Sequence, residues 1–261
     1  MIDIIIPAYN CSNTLGRTLS SLVTQTDNDF VVTLVDDCST EDIKPIVDDY
    51  KTKLNINYIR NKENVGCGMS RQVGIDNTNC SHFAFLDSDD ILMPYAVETF
   101  NSIIDTKPNT EMVHSYFYEQ TRIEGNPAII LHKDGYTWCH GKLYNRSLVN
   151  KYGIKNSPLI KWADDSYFNS MCSELFDVQV IAIPLYLWCN NRDSVTRKVD
   201  PERERLKKED FLLAMNMSNQ LVLKFKDKVS HIDRTLKNIN RLDSSSLNEK
   251  EAELMKQNQE M

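Results

Sequence analysis

The sequence predicts an α/β fold: a mostly parallel sheet flanked by helices, with a C-terminal helical extension. Three observations carry this expectation. The short apolar runs Ile2–Ile6, Phe30–Val35, Ile56–Ile59 and Phe83–Leu86 have the length and continuity of strands buried on both faces. Between them lie stretches of helical length, the spacing of right-handed βαβ units. From Pro201 onward the chain has neither Gly nor Pro, and it reads as helix.

Each element has a local reason. Ile2–Ile6 is β-branched and closes in Pro7-Ala8-Tyr9-Asn10, a polar loop; Ser12 or Asn13 then caps a helix with Leu15, Leu19, Leu22 and Val23 on one face. The second strand ends in Asp36-Asp37-Cys38-Ser39, and Thr40 caps a helix from about Glu41 to Lys53. A glycine-bearing turn, Asn64-Val65-Gly66-Cys67-Gly68, opens a helix that holds Arg71 and ends near Asn77. The fourth strand runs straight into Asp87-Ser88-Asp89-Asp90. Alternation in extended chain puts Asp87 and Asp89 on one face, a pairing suited to a hard divalent cation. Asp90 then points away and helps start the next helix, ahead of Pro94.

The middle of the chain is less regular. Glu111–Gln120 and Pro127–Leu131 read as strands, Ser147–Tyr152 as a short helix stopped by Gly153, and Val178–Ile183 and Leu185–Trp188 as two further strands. Asp164 and Asp165 occupy the first turn of a helix, where the dipole favours acids. Three strand ends that each deliver polar or acidic residues to one rim describe a cleft at the carboxyl edge of the sheet, where open α/β sheets bind ligands.

Totals narrow the class. The 261 residues are 41% hydrophobic and 26% charged, ordinary for a globular protein with a substantial core. A net charge of −7 gives no electrostatic case for nucleic acid. Seven cysteines without a Cys-x-x-Cys pair argue against a disulfide framework or a zinc site and for a reducing compartment. The N-terminus opens into a strand rather than a basic, apolar leader, and no apolar stretch approaches a membrane span. The expected location is therefore cytoplasmic, or peripheral to the membrane.

Five ordered motifs carry a resemblance: Ile5-Ile6-Pro7-Ala8-Tyr9-Asn10, Val35-Asp36-Asp37-Cys38-Ser39, Asn64-Val65-Gly66 with Arg71-Gln72-Val73-Gly74, Leu86-Asp87-Ser88-Asp89-Asp90, and Ala163-Asp164-Asp165-Ser166-Tyr167-Phe168. Together they resemble the GT-A nucleotide-sugar glycosyltransferases, specifically the inverting family 2, over Met1 to about Arg197. The resemblance implies a catalytic domain at 1–200, with a nucleotide-sugar-binding half at 1–110 and an acceptor-binding half at 111–200. It implies a UDP-sugar donor, a glycan or other hydroxyl acceptor, and Mn²⁺ or Mg²⁺ as cofactor. Pro7, Ala8 and Tyr9 would lie along the nucleobase, with Asp37 accepting from base or ribose. Arg71, Asp87, Ser88 and Arg192 would contact the nucleotide sugar, Asp89 would hold the metal, and Asp165 would be the general base. The chain departs from the family by carrying Asp164 where Glu is usual, and Asn190 and Asn191 where basic residues are common. Lys142 resembles a bend near the acceptor, with a packed loop as the alternative. His132 and His140 read as ordinary loop histidines, with metal or acceptor contact as their alternative. The competing functions are a sugar-phosphate nucleotidyltransferase and a non-catalytic nucleotide-sugar-binding protein.

The extension, 201–243, carries Phe211, Met215, Ser218, Val222, Phe225, Val229, Ile232, Leu236 and Ile239 at alternating spacings of four and three. Helix 203–241 is thus open to three readings: a homodimer seam, a basic face on a membrane surface, or a helix folded back on its own catalytic domain. Residues 244–261 are polar and read as disordered.

Overall fold

The computed structural model describes residues 1–135, 137–191 and 201–225. The α/β expectation holds. β1 (Ile2–Ala8), β2 (Phe30–Asp36), β3 (Ile56–Arg60) and β4 (His82–Phe85) pair in parallel in the order β3-β2-β1-β4. Beyond β4 the sheet turns mixed. β8 (Lys142–Asn145) runs antiparallel to both β4 and β6 (Met112–Ile123). β9 (Val178–Trp188) pairs parallel with β6, and the two-residue β5 (Ile91–Leu92) closes the edge antiparallel to β9. β7 (Asn126–His132) forms a hairpin with β6.

All seven residues of β1 are buried, and alternation divides them between two cores. Ile2, Ile4, Ile6 and Ala8 join the face covered by α1 (Ser12–Val23), α2 (Lys44–Tyr50) and α4 (Ala96–Thr106), whereas Ile5 joins the other. That second face is covered by α3 (Cys67–Asn77), α5 (Arg146–Tyr152), α6 (Asp164–Leu175) and α7 (Pro201–Leu223).

Several local expectations are corrected. Neither Ser12 nor Asn13 caps α1, which starts at Ser12 behind Cys11 with no side-chain cap bond. Thr40 caps nothing: α2 begins only at Lys44, with Pro45 in its first turn, and stops at Tyr50. The two strands expected at 178–183 and 185–188 are one, β9, because register shifts against β6 absorb Pro184 opposite Tyr116. Asp90 starts no helix; β5 intervenes, and α4 begins at Ala96.

The described part of the extension folds back. Leu213, Ala214 and Val222 are buried with the α6 residues Met171, Cys172 and Leu175, and Met217, Leu221 and Phe225 pack beside them. This stripe shares Val222 and Phe225 with the expected heptad seam, and Ser218 of the seam is buried as well, but Phe211 stays 41% exposed, because the partner is α6 of the same chain. Val229, Ile232, Leu236 and Ile239 lie outside the described residues. Among those described, no helix is long and apolar enough to cross a membrane.

α3 approaches the sheet closely at Gly74, where an added Cβ would sit 2.3 Å from Ile5 Cγ2 in the central strand. Gly74→Ala should therefore lower the unfolding free energy by about 1–3 kcal/mol in urea titrations, even though alanine is the better helix former. A neutral or stabilising substitution would show that α3 sits looser on β1 than this contact requires.

Candidate active site

The site is built at the carboxyl ends of β1, β2 and β4, and it closes around one side chain. Arg71, in the second turn of α3, is 3% exposed. Its guanidinium donates to Asp87 Oδ1 at 2.6 Å, to Asp164 Oδ2 at 2.5 Å and to Asp165 Oδ1. The plane lies over the Phe85 ring, 5.5 Å from its centroid. Burial opposes the charge on Arg71, but the carboxylates of Asp165 and Asp87 hold its pKa well above the usual value. Three acids against one cation leave negative charge in excess. Burial and the neighbouring Asp165 accordingly raise Asp164 to about 7, even against the pull of Arg71. For Asp165 burial is again the largest influence and acts in the same direction, but Arg71, His140 and the Cys139 thiol together outweigh it and keep this carboxyl below its ordinary value.

Asp165 is held from behind as well. The Cys139 thiol donates to its Oδ1 at 3.3 Å, Asn169 donates to the Asp165 carbonyl at 2.8 Å, and Tyr144 donates its hydroxyl to Asn169 Oδ1. On the other side the first turn of α6 presses on α3: a Cβ on Gly68 would fall 2.7 Å from Asp164 Cβ.

The acidic motif departs from the expected alternation. β4 ends at Phe85, and residues 87–90 form a turn in which the Asp90 N–H donates to the Asp87 carbonyl. Asp87 and Asp89 are therefore not a same-face strand pair. Asp90 is buried, its carboxylate accepting from the Tyr186 hydroxyl at 2.6 Å and the Cys189 N–H at 2.8 Å. Burial, with Asp87 and Asp89 nearby, raises its pKa well above the usual range. Among the described residues, Asp87, Asp90 and His140 offer ligand atoms all within 4.8 Å of one another, a grouping without Asp89. Asp89 instead accepts from the Asn191 amide at 3.1 Å, and its carbonyl accepts from Arg17 at 2.5 Å. His140 is buried in an aromatic cage, stacked on Tyr186 at 4.7 Å, and burial lowers its pKa to about 4. Neutral at physiological pH, it keeps Nε2 4.0 Å from Asp87 Oδ2, and its buried Nδ1 has no hydrogen-bond partner.

The other predicted residues divide. Pro7 and Ala8 are buried in β1, and Tyr9 is 47% exposed at its end. Asp37 spends its carboxylate on the loop between β3 and α3, accepting from Asn61 and from the Val65 and Gly66 N–H groups at 2.8–2.9 Å. Ser88 accepts from Thr18 through its carbonyl. Asn10 and Cys38 both adopt positive φ (48° and 58°) where β1 and β2 hand over to their loops, a conformation that non-glycine residues enter rarely and often near functional sites. Lys142 is buried and donates to the carbonyls of Gly135 and Trp138, so it fastens a packed loop. His132 stacks on Phe117 and pairs with Glu119 at 2.9 Å. Arg192 lies outside the described residues. Sequence reading missed Tyr186, Cys139 and Asn169, none of which carries a local motif.

Residues 3–173 match the family model for glycosyl transferase family 2. An uncharacterized glycosyltransferase of Haemophilus influenzae is 35% identical over 114 residues, 44% of this chain and 38% of that protein. Glycosyltransferase GlyA of Streptococcus pneumoniae is 30% identical over 122 residues, 46% of this chain and 17% of that one. The chain thus spans well under half the length of these relatives. Among solved structures, S. aureus TarS 1–349 in complex with UDP-GlcNAc superposes with a TM-score of 0.66 at 22% identity, covering 86% of this chain and 71% of that one. That likeness is one of fold.

Asp164 has a pH signature. A carboxyl whose folded pKa is raised contributes stability that is complete below the unfolded value and is lost as pH rises through the folded one. Between pH about 5 and 8, wild type should therefore lose on the order of 2 kcal/mol of stability relative to Asp164→Asn. Parallel stability curves for the two proteins would place Asp164 outside the charge excess.

Proposed function

Because the chain belongs to glycosyl transferase family 2 and shares the GT-A fold of TarS, we propose that it transfers a sugar from a nucleoside diphosphate to an acceptor hydroxyl with inversion. The observation that carries this reading is the convergence of Asp87, Asp164 and Asp165 on buried Arg71 at the carboxyl rim of β1, β2 and β4. The donor is UDP-linked, in keeping with the UDP-GlcNAc complex of the structural neighbour. Pro7, Ala8, Tyr9 and Asp37 line the nucleobase, and Arg71, Asp87, Ser88 and Arg192 contact the ribose and diphosphate. The donor-binding half is 1–110 and the acceptor-binding half 111–200.

Asp165 is the general base. It is the acid that Arg71 keeps ionised, whereas its neighbour Asp164 holds a proton to about pH 7. As the acceptor oxygen bonds to the anomeric carbon, Asp165 takes the hydroxyl proton, and the diphosphate leaves with the electrons of the broken glycosidic bond. Arg71 and Cys139 fix the Asp165 oxygen that does not face the acceptor.

A divalent cation, Mn²⁺ or Mg²⁺, fits the residues present. Asp87, Asp90 and His140 already gather oxygen and imidazole donors, and the buried Nδ1 of His140 lacks a partner. We propose that Asp89 holds the ion from the acidic turn it shares with Asp87 and Asp90, whose carboxylates gather with His140. When bound it supplies positive charge to the leaving diphosphate.

The test is release of UDP from a panel of UDP-sugars, with and without Mn²⁺. The wild type should release UDP with Mn²⁺ and lose activity in EDTA. Asp165→Asn should keep UDP binding and lose turnover by about 10²–10⁴. Near-normal turnover of Asp165→Asn, or binding of UDP-sugars with no turnover by the wild type, would overturn the assignment.

A further inference from the structure

The helix that carries the base has no cap of its own. Ala163 stands at its N-cap position and supplies no side-chain cap for the first turn. The carboxylate that meets this backbone comes from 47 residues further along, in α7. Asp210 Oδ2 accepts from the Trp162 N–H at 2.6 Å and the Ala163 N–H at 2.9 Å. Both its oxygens also lie within hydrogen-bonding distance of the Lys161 N–H, at 3.0 and 3.2 Å. Three consecutive N–H groups thus converge on one anion, an arrangement that fixes the direction of the chain as well as satisfying its donors.

The register of this contact is set by packing. One turn beyond Asp210, Leu213 and Ala214 are buried in the core that includes Tyr167, Phe168 and Met171 of α6. α7 therefore supports α6 along its apolar face and grips the strand of chain that leads into it. It does so from beyond residue 173, where the family match ends.

We infer that Asp210 is a positioning residue for catalysis: it holds residues 161–163 so that the first turn of α6 presents Asp165 to the acceptor. The inference rests on Asp165 being the base. Slack in this turn has nowhere to go, because Asp164 already abuts Gly68 and both acids share Arg71. Losing the Asp210 contact would change the angle of Asp165 while leaving the nucleobase side of the cleft, 7–9 and 37, untouched. Misplacement of a reacting group by an ångström costs up to about a hundredfold in rate.

The experiment compares wild type, Asp210→Ala and Asp210→Asn by steady-state kinetics, by UDP binding with Mn²⁺, and by hydrogen exchange of the 161–165 amides. The expected result for Asp210→Ala is a kcat lowered about tenfold, donor KM and UDP affinity within twofold of wild type, and faster exchange confined to those amides. Asp210→Asn, which keeps one acceptor oxygen, should recover part of the kcat and also covers the case in which the alanine variant fails to fold. Two results would overturn the inference: faster exchange with unchanged kcat, or a fall in UDP affinity matching the fall in kcat. Failure of the base assignment would be seen separately, as full turnover by Asp165→Asn, and would leave the exchange result intact.

Discussion

Arg71 shares a buried pocket with three carboxylates, and the rest of the site follows from that imbalance. A buried guanidinium without partners would cost several kcal/mol; with Asp87, Asp164 and Asp165 around it, the cation is secure and the acids are in surplus. The surplus is relieved by keeping a proton on Asp164, which separates two adjacent acids into a neutral one and an ionised one. A dianionic diphosphate entering the same rim would add to the excess. That excess is a physical reason for the cation proposed above.

The scaffold serves this cluster by close approach. α3 lies hard on β1 at Gly74, which brings Arg71 over the end of β4, and it meets α6 at Gly68, which brings Asp164 and Asp165 to Arg71. Asp37 plays a comparable part at the end of β2. By taking two backbone N–H groups and the Asn61 amide, it shapes the loop between β3 and α3 that lets α3 begin at Cys67. On the opposite flank, Tyr186 couples the end of β9 to the acidic turn, donating to Asp90 and accepting from the Asp87 N–H. Each acid therefore answers to a different element, and their meeting point is a property of the whole sheet.

Much of this was legible in the sequence because buried parallel strands advertise themselves. The runs around Ile4, Val32 and Ala84 could be little else, and polar or acidic residues just past them mark the binding edge of such a sheet. Asp164 and Asp165 were readable as first-turn helix acids. What could not be read is what depends on contacts distant in the chain: Arg71 meets Asp164 93 residues away, and Asp90 meets Cys189 99 residues away. The period-2 argument failed at Asp87 because it assumes extended chain, and the chain turns there. Pro45, in the first turn of α2, goes with a start at Lys44 that the capping argument for Thr40 overlooked, whereas Pro184 was absorbed by register shifts in β9, an outcome set by neighbours rather than by propensity.

If Arg71 governs the ionisation of Asp165, the pH dependence of kcat in Arg71→Gln reads that control directly. With the cation removed and the side chain's bulk kept, the Asp165 carboxyl should rise toward and past its ordinary value. The account predicts that the acid limb of the kcat profile moves upward by at least about one pH unit, with turnover partly restored at high pH. An acid limb that stays in place, with the loss confined to donor KM, would contradict it and make Arg71 a donor ligand alone.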